Sequence, residues 1–259
     1  MKKLIALAAV FGVLIAVGVF CGYEYYKTVY IPKTVIDNAE KARKELFKKI
    51  RPPIENAIAS LDTPGIDSIE SSSDLLSNCK SVNSDTVAWI TISGTNIDYP
   101  IMQCDDNEFY LHNGADRKDN GGLGCPFLDF RCESDFSGVN SIIYGHHIEG
   151  GRMFSDIVLY EDERYFDDHR IGYLVTSYEV KKIDFFSYMC VSSNSPIYST
   201  AFLSTNEKGN YIDLIFRLSK YSKDITKDYL KDNTDKHILL ISTCTYGEGE
   251  QRSILVGVF

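Results

Sequence analysis

The chain has 259 residues, 44% of them hydrophobic and 24% charged, with a formal net charge of −9. That composition excludes a wholly disordered chain, and the acidic balance excludes the broad basic face of a nucleic-acid binder. Seven cysteines rule out a fully paired intrachain disulfide framework, and 17 Tyr and 14 Phe against one Trp favour a β-rich body.

Lys2 and Lys3 precede Leu4 to Gly22, a run without a charged residue. At about 1.5 Å per residue it would span roughly 28 Å, close to one hydrocarbon core. The run is longer than a signal-peptide core, no small-x-small cleavage site follows it, and Phe20 stands before Cys21 where a lipoprotein site wants a small residue. Residues 1–26 are therefore expected to be a cytoplasmic stub and transmembrane anchor. The implied placement is the cell membrane, single-pass, with the N-terminus cytoplasmic and the remainder extracellular. Without the two lysines the remainder is still more acidic, which argues against a basic membrane-surface helix.

Residues 27–83 read as a helical arm and linker. Lys33 to Ile50 place Val35, Ala39, Ala42, Leu46 and Ile50 near one face, a helical period. Pro52 and Pro53 stop this helix and restart the chain, and Ile54, Ile58 and Leu61 mark a shorter one. Thr63 to Ser73, TPGIDSIESSS, is rich in turn formers and reads as a linker.

Residues 84–259 change character. VAWITI, IDYPIM, SIIYG, GYLVTS, IDFFSYMCVSS, YIDLIF, HILLIST and SILVGVF are short runs rich in β-branched and aromatic residues, separated by Gly, Asp and Asn. They predict an all-β barrel or sandwich, with Tyr221 to Asn233 as the helix inside it. No repeat, heptad or phosphate-binding glycine loop is present.

The final hairpin carries the most chemistry. His237 to Thr243 is almost continuously apolar, as in a strand buried on both faces. Cys244 ends it, TYGEGEQ turns, and Arg252 opens SILVGVF on the face of Ile254, Val256 and Val258. Antiparallel pairing brings Cys244 and Arg252 to the same end of the sheet. An unperturbed thiol is only about 3% thiolate at pH 7, and a fixed cation raises that fraction. Taken singly, a cysteine is more often a small buried hydrophobe and an arginine half of a surface pair. A thiol nucleophile also wants a base. Of the five histidines, only His146 and His147 directly follow a strand pattern, in SIIYGHH. The HH pair lacks the i, i+4 or Cys-x-x-Cys spacing of a zinc site, so no metal is expected. Of the other cysteines, a bridge among Cys104, Cys125 and Cys132 is open, while Cys79 and Cys190 are expected to pack as small hydrophobes.

From about Val87 to Phe259 the chain resembles the sortases, and most of all their class B branch. The resemblance rests on WITISGTNIDYPIMQCDDNEFYL, on IIYGHH followed by GGRMF, and on LISTC with Arg252 eight residues beyond the cysteine. Leu240 and Ile241 stand where the family usually has Thr-Leu, a change that bears on strand packing. The resemblance implies a mainly β fold: a closed eight-stranded sortase-type β-barrel with an N-terminal helical arm and a helix in the connection before the cysteine strand. It implies Cys244 as nucleophile, His146 as the catalytic histidine, Arg252 as the transition-state arginine, and Ser242 and Thr243 as substrate-binding residues. It also implies a membrane-anchored cysteine transpeptidase of a Gram-positive envelope, needing no cofactor. Its partners would be secreted proteins bearing a sorting pentapeptide and an amino nucleophile from a peptidoglycan precursor, the cell wall or another protein. Two other classes fit the residues without the resemblance: a surface cysteine hydrolase, and a non-enzymatic membrane-tethered binding ectodomain.

Overall fold

The computed structural model describes residues 21–24, 26–148, 150–202, 204–233, 235–245 and 250–259. Helix α1, Ile31–Ile50, turns Ile36, Ala39 and Leu46 onto the core and buries Phe47 and Ile50. Phe47 meets Trp89 and Tyr99 edge-on at centroid distances of 5.8 and 6.0 Å. The Arg43 guanidinium lies 5.0 and 4.9 Å from the Phe47 and Tyr99 ring centroids. Two bonds of 2.8 and 2.7 Å to the Glu40 carboxylate pair that cation, which lets it sit on the rings in a largely dry place. Helix α2, Glu55–Leu61, follows the two prolines and buries Leu61. The segment expected as a linker contains strand β1, Ser68–Glu70. Helix α3, Ser77–Val82, ties back to α1 through the buried Cys79 thiol, which donates to the Ile50 carbonyl at 3.1 Å.

The body runs β2 Thr86–Ile92, β3 Asp98–Met102, α4 Phe109–His112, β4 Phe127–Leu128 and β5 Asn140–Tyr144. A small hairpin follows, β6 His147–Ile148 and β7 Arg152–Met153, then α5 Glu163–Asp168, β8 Ile171–Val175 and the long β9 Glu179–Ser192. The last part comprises α6 Thr205–Leu218, β10 Tyr221–Ser222, α7 Lys227–Asp232, β11 Ile238–Cys244 and β12 Gln251–Val258.

Eight strands close a barrel in the order β9-β12-β11-β5-β4-β3-β2-β8, with β8 returning to β9. Strands β1 and β10 add to β9 outside that ring. Every neighbouring pair in the ring is antiparallel except β3–β4 and β5–β11. Ile238 to Thr243 are all buried, as their apolar run predicts. At the β12 corner the pairing with β9 slips between Val256 and Gly257. A Cβ on Gly257 would stand 2.5 Å from the Ile183 side chain, so the strand can cross this corner only with glycine.

Three expectations need correction. YIDLIF is not a strand: it lies inside α6, with Tyr211, Ile212 and Ile215 buried at helical spacing. Of Tyr221 to Asn233, expected as helix, only Lys227–Asp232 is helical, and Tyr221–Ser222 instead extends the sheet. The single-pass membrane placement is not upheld. Among the described residues no helix is long and apolar enough to cross a membrane. The 20 residues of α1 have the length but carry Lys33, Asp37, Glu40, Lys41 and Arg43, and only one face is apolar. The run from Leu4 that was expected to form the anchor lies, up to residue 20, outside the described residues.

Candidate active site

A cleft of about 500 Å³ opens where β5 and β11 end, and its walls include His146, Cys244 and Arg252. Cys244 and Arg252 are direct cross-strand partners in the β11–β12 pair. Such partners hold their Cβ atoms about 4.5–5.5 Å apart, so a thiol and a guanidinium are built side by side into the ladder. Among the described residues Arg252 has no carboxylate partner. One of its terminal nitrogens donates to the Gln251 carbonyl at 3.0 Å, which leaves donors for the cleft.

His146 reaches the same end by a different route. Strand β5 runs parallel to β11, with Tyr144 opposite Ser242. The Gly145 N–H donates to the Ser242 carbonyl at 3.1 Å. His146 and Cys244 each stand two residues beyond that pair, and both line the cleft. The imidazole is fixed: Nε2 lies 2.7 Å from the Leu111 carbonyl oxygen. His147 points elsewhere, pairing in the β6–β7 hairpin with Met153, and burial lowers its pKa.

The cleft floor is aromatic and hydrogen-bonded. The Tyr198 and Ser242 hydroxyls are 2.9 Å apart, and the Tyr198 ring lies 6.0 Å from that of Tyr144. Burial pushes the Tyr198 hydroxyl up to about 12, so it stays neutral at ordinary pH. Beneath it, the fully buried Asp129 accepts two bonds from the Arg131 side chain, at 2.9 and 2.7 Å, and one from the Tyr144 hydroxyl at 3.0 Å. Burial alone would raise the Asp129 pKa, but these donors outweigh it and hold the carboxyl below the usual range. Arg131 also reaches the Tyr198 carbonyl at 3.2 Å, so one buried carboxylate braces two sides of the cleft.

All five residues singled out from the sequence line this cleft. Ser242 presents its hydroxyl to Tyr198, whereas the Thr243 hydroxyl is buried and has no partner among the described residues. Asn107, Leu111, Arg131, Tyr144 and Tyr198 also line it and were not singled out. Of these only Arg131 had a local signal, the Asp-x-Arg spacing with Asp129. Among the described residues no group of three or more His, Cys, Asp or Glu is disposed to hold a metal. All the cysteines are free thiols. Cys79, Cys125 and Cys132 are buried, while Cys190, expected to be packed, is exposed.

No family model matches the chain. Sortase B of Listeria monocytogenes serovar 1/2a is 32% identical over 174 residues, spanning 66% of this chain and 67% of that protein. Sortase B of Staphylococcus aureus is 25% identical over 258 residues, 99% of this chain and 96% of that one. A solved Staphylococcus aureus sortase B–substrate complex superposes with a TM-score of 0.69 at 24% identity, covering 86% of this chain and 97% of that one. The closed eight-stranded barrel is thus the sortase fold. The chain belongs to the class B sortases, which makes it a sortase-type cysteine transpeptidase.

Proposed function

We propose that Cys244 is the nucleophile of a transpeptidase that cleaves a C-terminal sorting motif of secreted proteins and joins them to an amino group of the cell wall or of another protein. The observation that carries this reading is the direct opposition of Cys244 and Arg252 at the mouth of a cleft that His146 also lines. The Cys244 thiolate attacks a backbone carbonyl of the motif, and the electron pair moves onto the carbonyl oxygen. Arg252 donates to that oxyanion, worth about two to three decades of rate for a single donor of this kind. On collapse the C–N bond breaks and His146 protonates the leaving amine, leaving a thioacyl-enzyme. An incoming amine attacks the thioester, His146 takes its proton, and the Cys244 thiolate departs. Ser242 and the adjoining Thr243 serve as contacts for the bound peptide, with Tyr144 and Tyr198 forming its floor. A solved substrate complex of Staphylococcus aureus sortase B supports substrate binding in this fold. Residues 84–259 form the catalytic domain in this reading, and residues 27–83 an arm packed on it.

The test uses the full chain with a quenched library of sorting-like pentapeptides, with and without triglycine. Wild type is expected to cleave a subset and give amide adducts with triglycine, and Cys244→Ala to do neither. Equal cleavage by Cys244→Ala would remove the nucleophile assignment. Free acid alone in the presence of amine would make the protein a hydrolase.

A further inference from the structure

One edge of the His146 ring is already committed. A carbonyl oxygen can only accept, so the 2.7 Å contact between Nε2 and the Leu111 oxygen requires the proton to sit on Nε2. The neighbouring ring carbon is covered as well: a Cβ on Gly124 would lie 3.0 Å from His146 Cδ2 and 2.7 Å from the Leu111 oxygen. Segment 110–125 therefore wraps the Nε2–Cδ2 edge, and the opposite edge, carrying Nδ1, is the one left to the cleft. Among the described residues Nδ1 has no hydrogen-bond partner, and it is not a buried orphan.

The carbonyl that holds the ring is itself held. Leu111 belongs to α4, and its neighbour Tyr110 is almost wholly buried. The Tyr110 hydroxyl donates to Asp85 at 2.6 Å and accepts from the Asn83 side-chain amide at 2.7 Å. Asn83 also donates to the Ala115 carbonyl at 2.9 Å, and Arg117 pairs with Asp85. The Tyr110 carbonyl takes the Cys125 N–H at 2.9 Å. The residue before Leu111 is thus pinned through both its side chain and its carbonyl by groups outside the cleft.

We propose that the Leu111 carbonyl and the Tyr110 network behind it select the His146 tautomer with the proton on Nε2, so that Nδ1 is the atom that exchanges protons with the leaving and incoming amines. The proposal rests on the proton-transfer role given to His146 above. Tyr110 is a positioning residue: it touches neither substrate nor thiol and acts through the backbone it anchors. The arrangement replaces the carboxylate that often orients a catalytic imidazole with a backbone acceptor. The histidine is oriented without an added negative charge beside the thiolate.

The experiment is long-range ¹H–¹⁵N correlation spectroscopy on the full chain with ¹⁵N-labelled histidine. The His146 signals are assigned by their loss in His146→Gln and read at a pH where the ring is neutral. The expected result is protonated Nε2 and bare Nδ1. In Tyr110→Phe, which keeps the ring and loses the hydroxyl, the Nδ1–H form should gain population. The same variant should lose about tenfold to a hundredfold in kcat for peptide cleavage with KM little changed, the scale of a misplaced catalytic group. A wild-type His146 protonated on Nδ1 overturns the proposal even if Tyr110→Phe fails to fold. So does a Tyr110→Phe variant with unchanged tautomer and unchanged kcat. Undiminished cleavage by His146→Gln would instead remove the proton-transfer role, whatever tautomer the spectrum reports.

Discussion

Gly145 separates the last residue of β5 from His146, and replacing it by alanine tests how rigidly the histidine is held. A Cβ there would stand 2.5, 2.7 and 2.9 Å from three atoms of the Phe154 ring. Ordinary contact begins near 3.4 Å, so one side must retreat by about 0.9 Å. Phe154 is fully buried and packs edge-on against Tyr99 at 6.2 Å, with Phe47 and Arg43 behind Tyr99. The ring has nowhere to go, so the backbone carrying His146 moves and strains the Gly145 bond to the Ser242 carbonyl. Overpacking of this size costs about 1–3 kcal/mol. At about 2–4 °C per kcal/mol for a chain of this length, the expected fall in Tm is roughly 2–12 °C. A displacement near 1 Å at a catalytic group costs about a hundredfold in rate. Thermal melts followed by circular dichroism read the first effect, and single-turnover thioester formation with a sorting peptide reads the second. Adding Phe154→Leu should restore much of the rate by making room for the methyl group. A Gly145→Ala protein with wild-type Tm and wild-type single-turnover rate would refute the reasoning.

Three further outcomes are expected. Arg252→Lys keeps the charge and loses the planar fork, so kcat should fall by about a hundredfold with KM little changed; steady-state kinetics check this. Cys79, pushed up to about 12 by burial, Cys132, up to about 11, and Cys125, raised further still, should resist iodoacetamide in the native protein. The exposed Cys190 and half-buried Cys244 should react, as peptide mass mapping would resolve. The Asp129 carboxyl, held below its unfolded value, stabilises the fold above that value and ceases to do so as pH falls through its folded one. Melts taken from about pH 6 downward should show wild type losing Tm more steeply than Asp129→Asn below about pH 4, since an unfolded aspartate titrates near 3.9 and the folded carboxyl lies lower.

The final hairpin was legible because its information is local. A continuous apolar run, a turn and an arginine in phase with the next apolar face are enough to set Cys244 against Arg252. The meeting of His146 with Cys244 was not, because it depends on parallel pairing between residues 140–144 and 238–242. No spacing rule in one sequence reports such pairing. Helix α6 was misread for a different reason. Tyr211, Ile212, Leu214, Ile215 and Phe216 are strand-favouring or ambiguous types, and Gly209 stands just before them. The deciding signal was the cap, Ser204 accepting from the Glu207 N–H at 3.2 Å, in a Ser-x-x-Glu pattern that outweighs local β preference. The Leu111 carbonyl was illegible in principle, since every residue has one and only the fold says which is aimed at a ring.

The unequal reach of these contacts also orders the assembly of the site. The pairing of Cys244 with Arg252 joins residues close in sequence, whereas the pairing that delivers His146 links residue 144 to residue 242. Short loops close at low entropic cost and long ones late. A chain still completing its barrel would therefore set Cys244 beside Arg252 before His146 joins them. On the proposed mechanism, which needs all three residues, turnover would require the closed barrel.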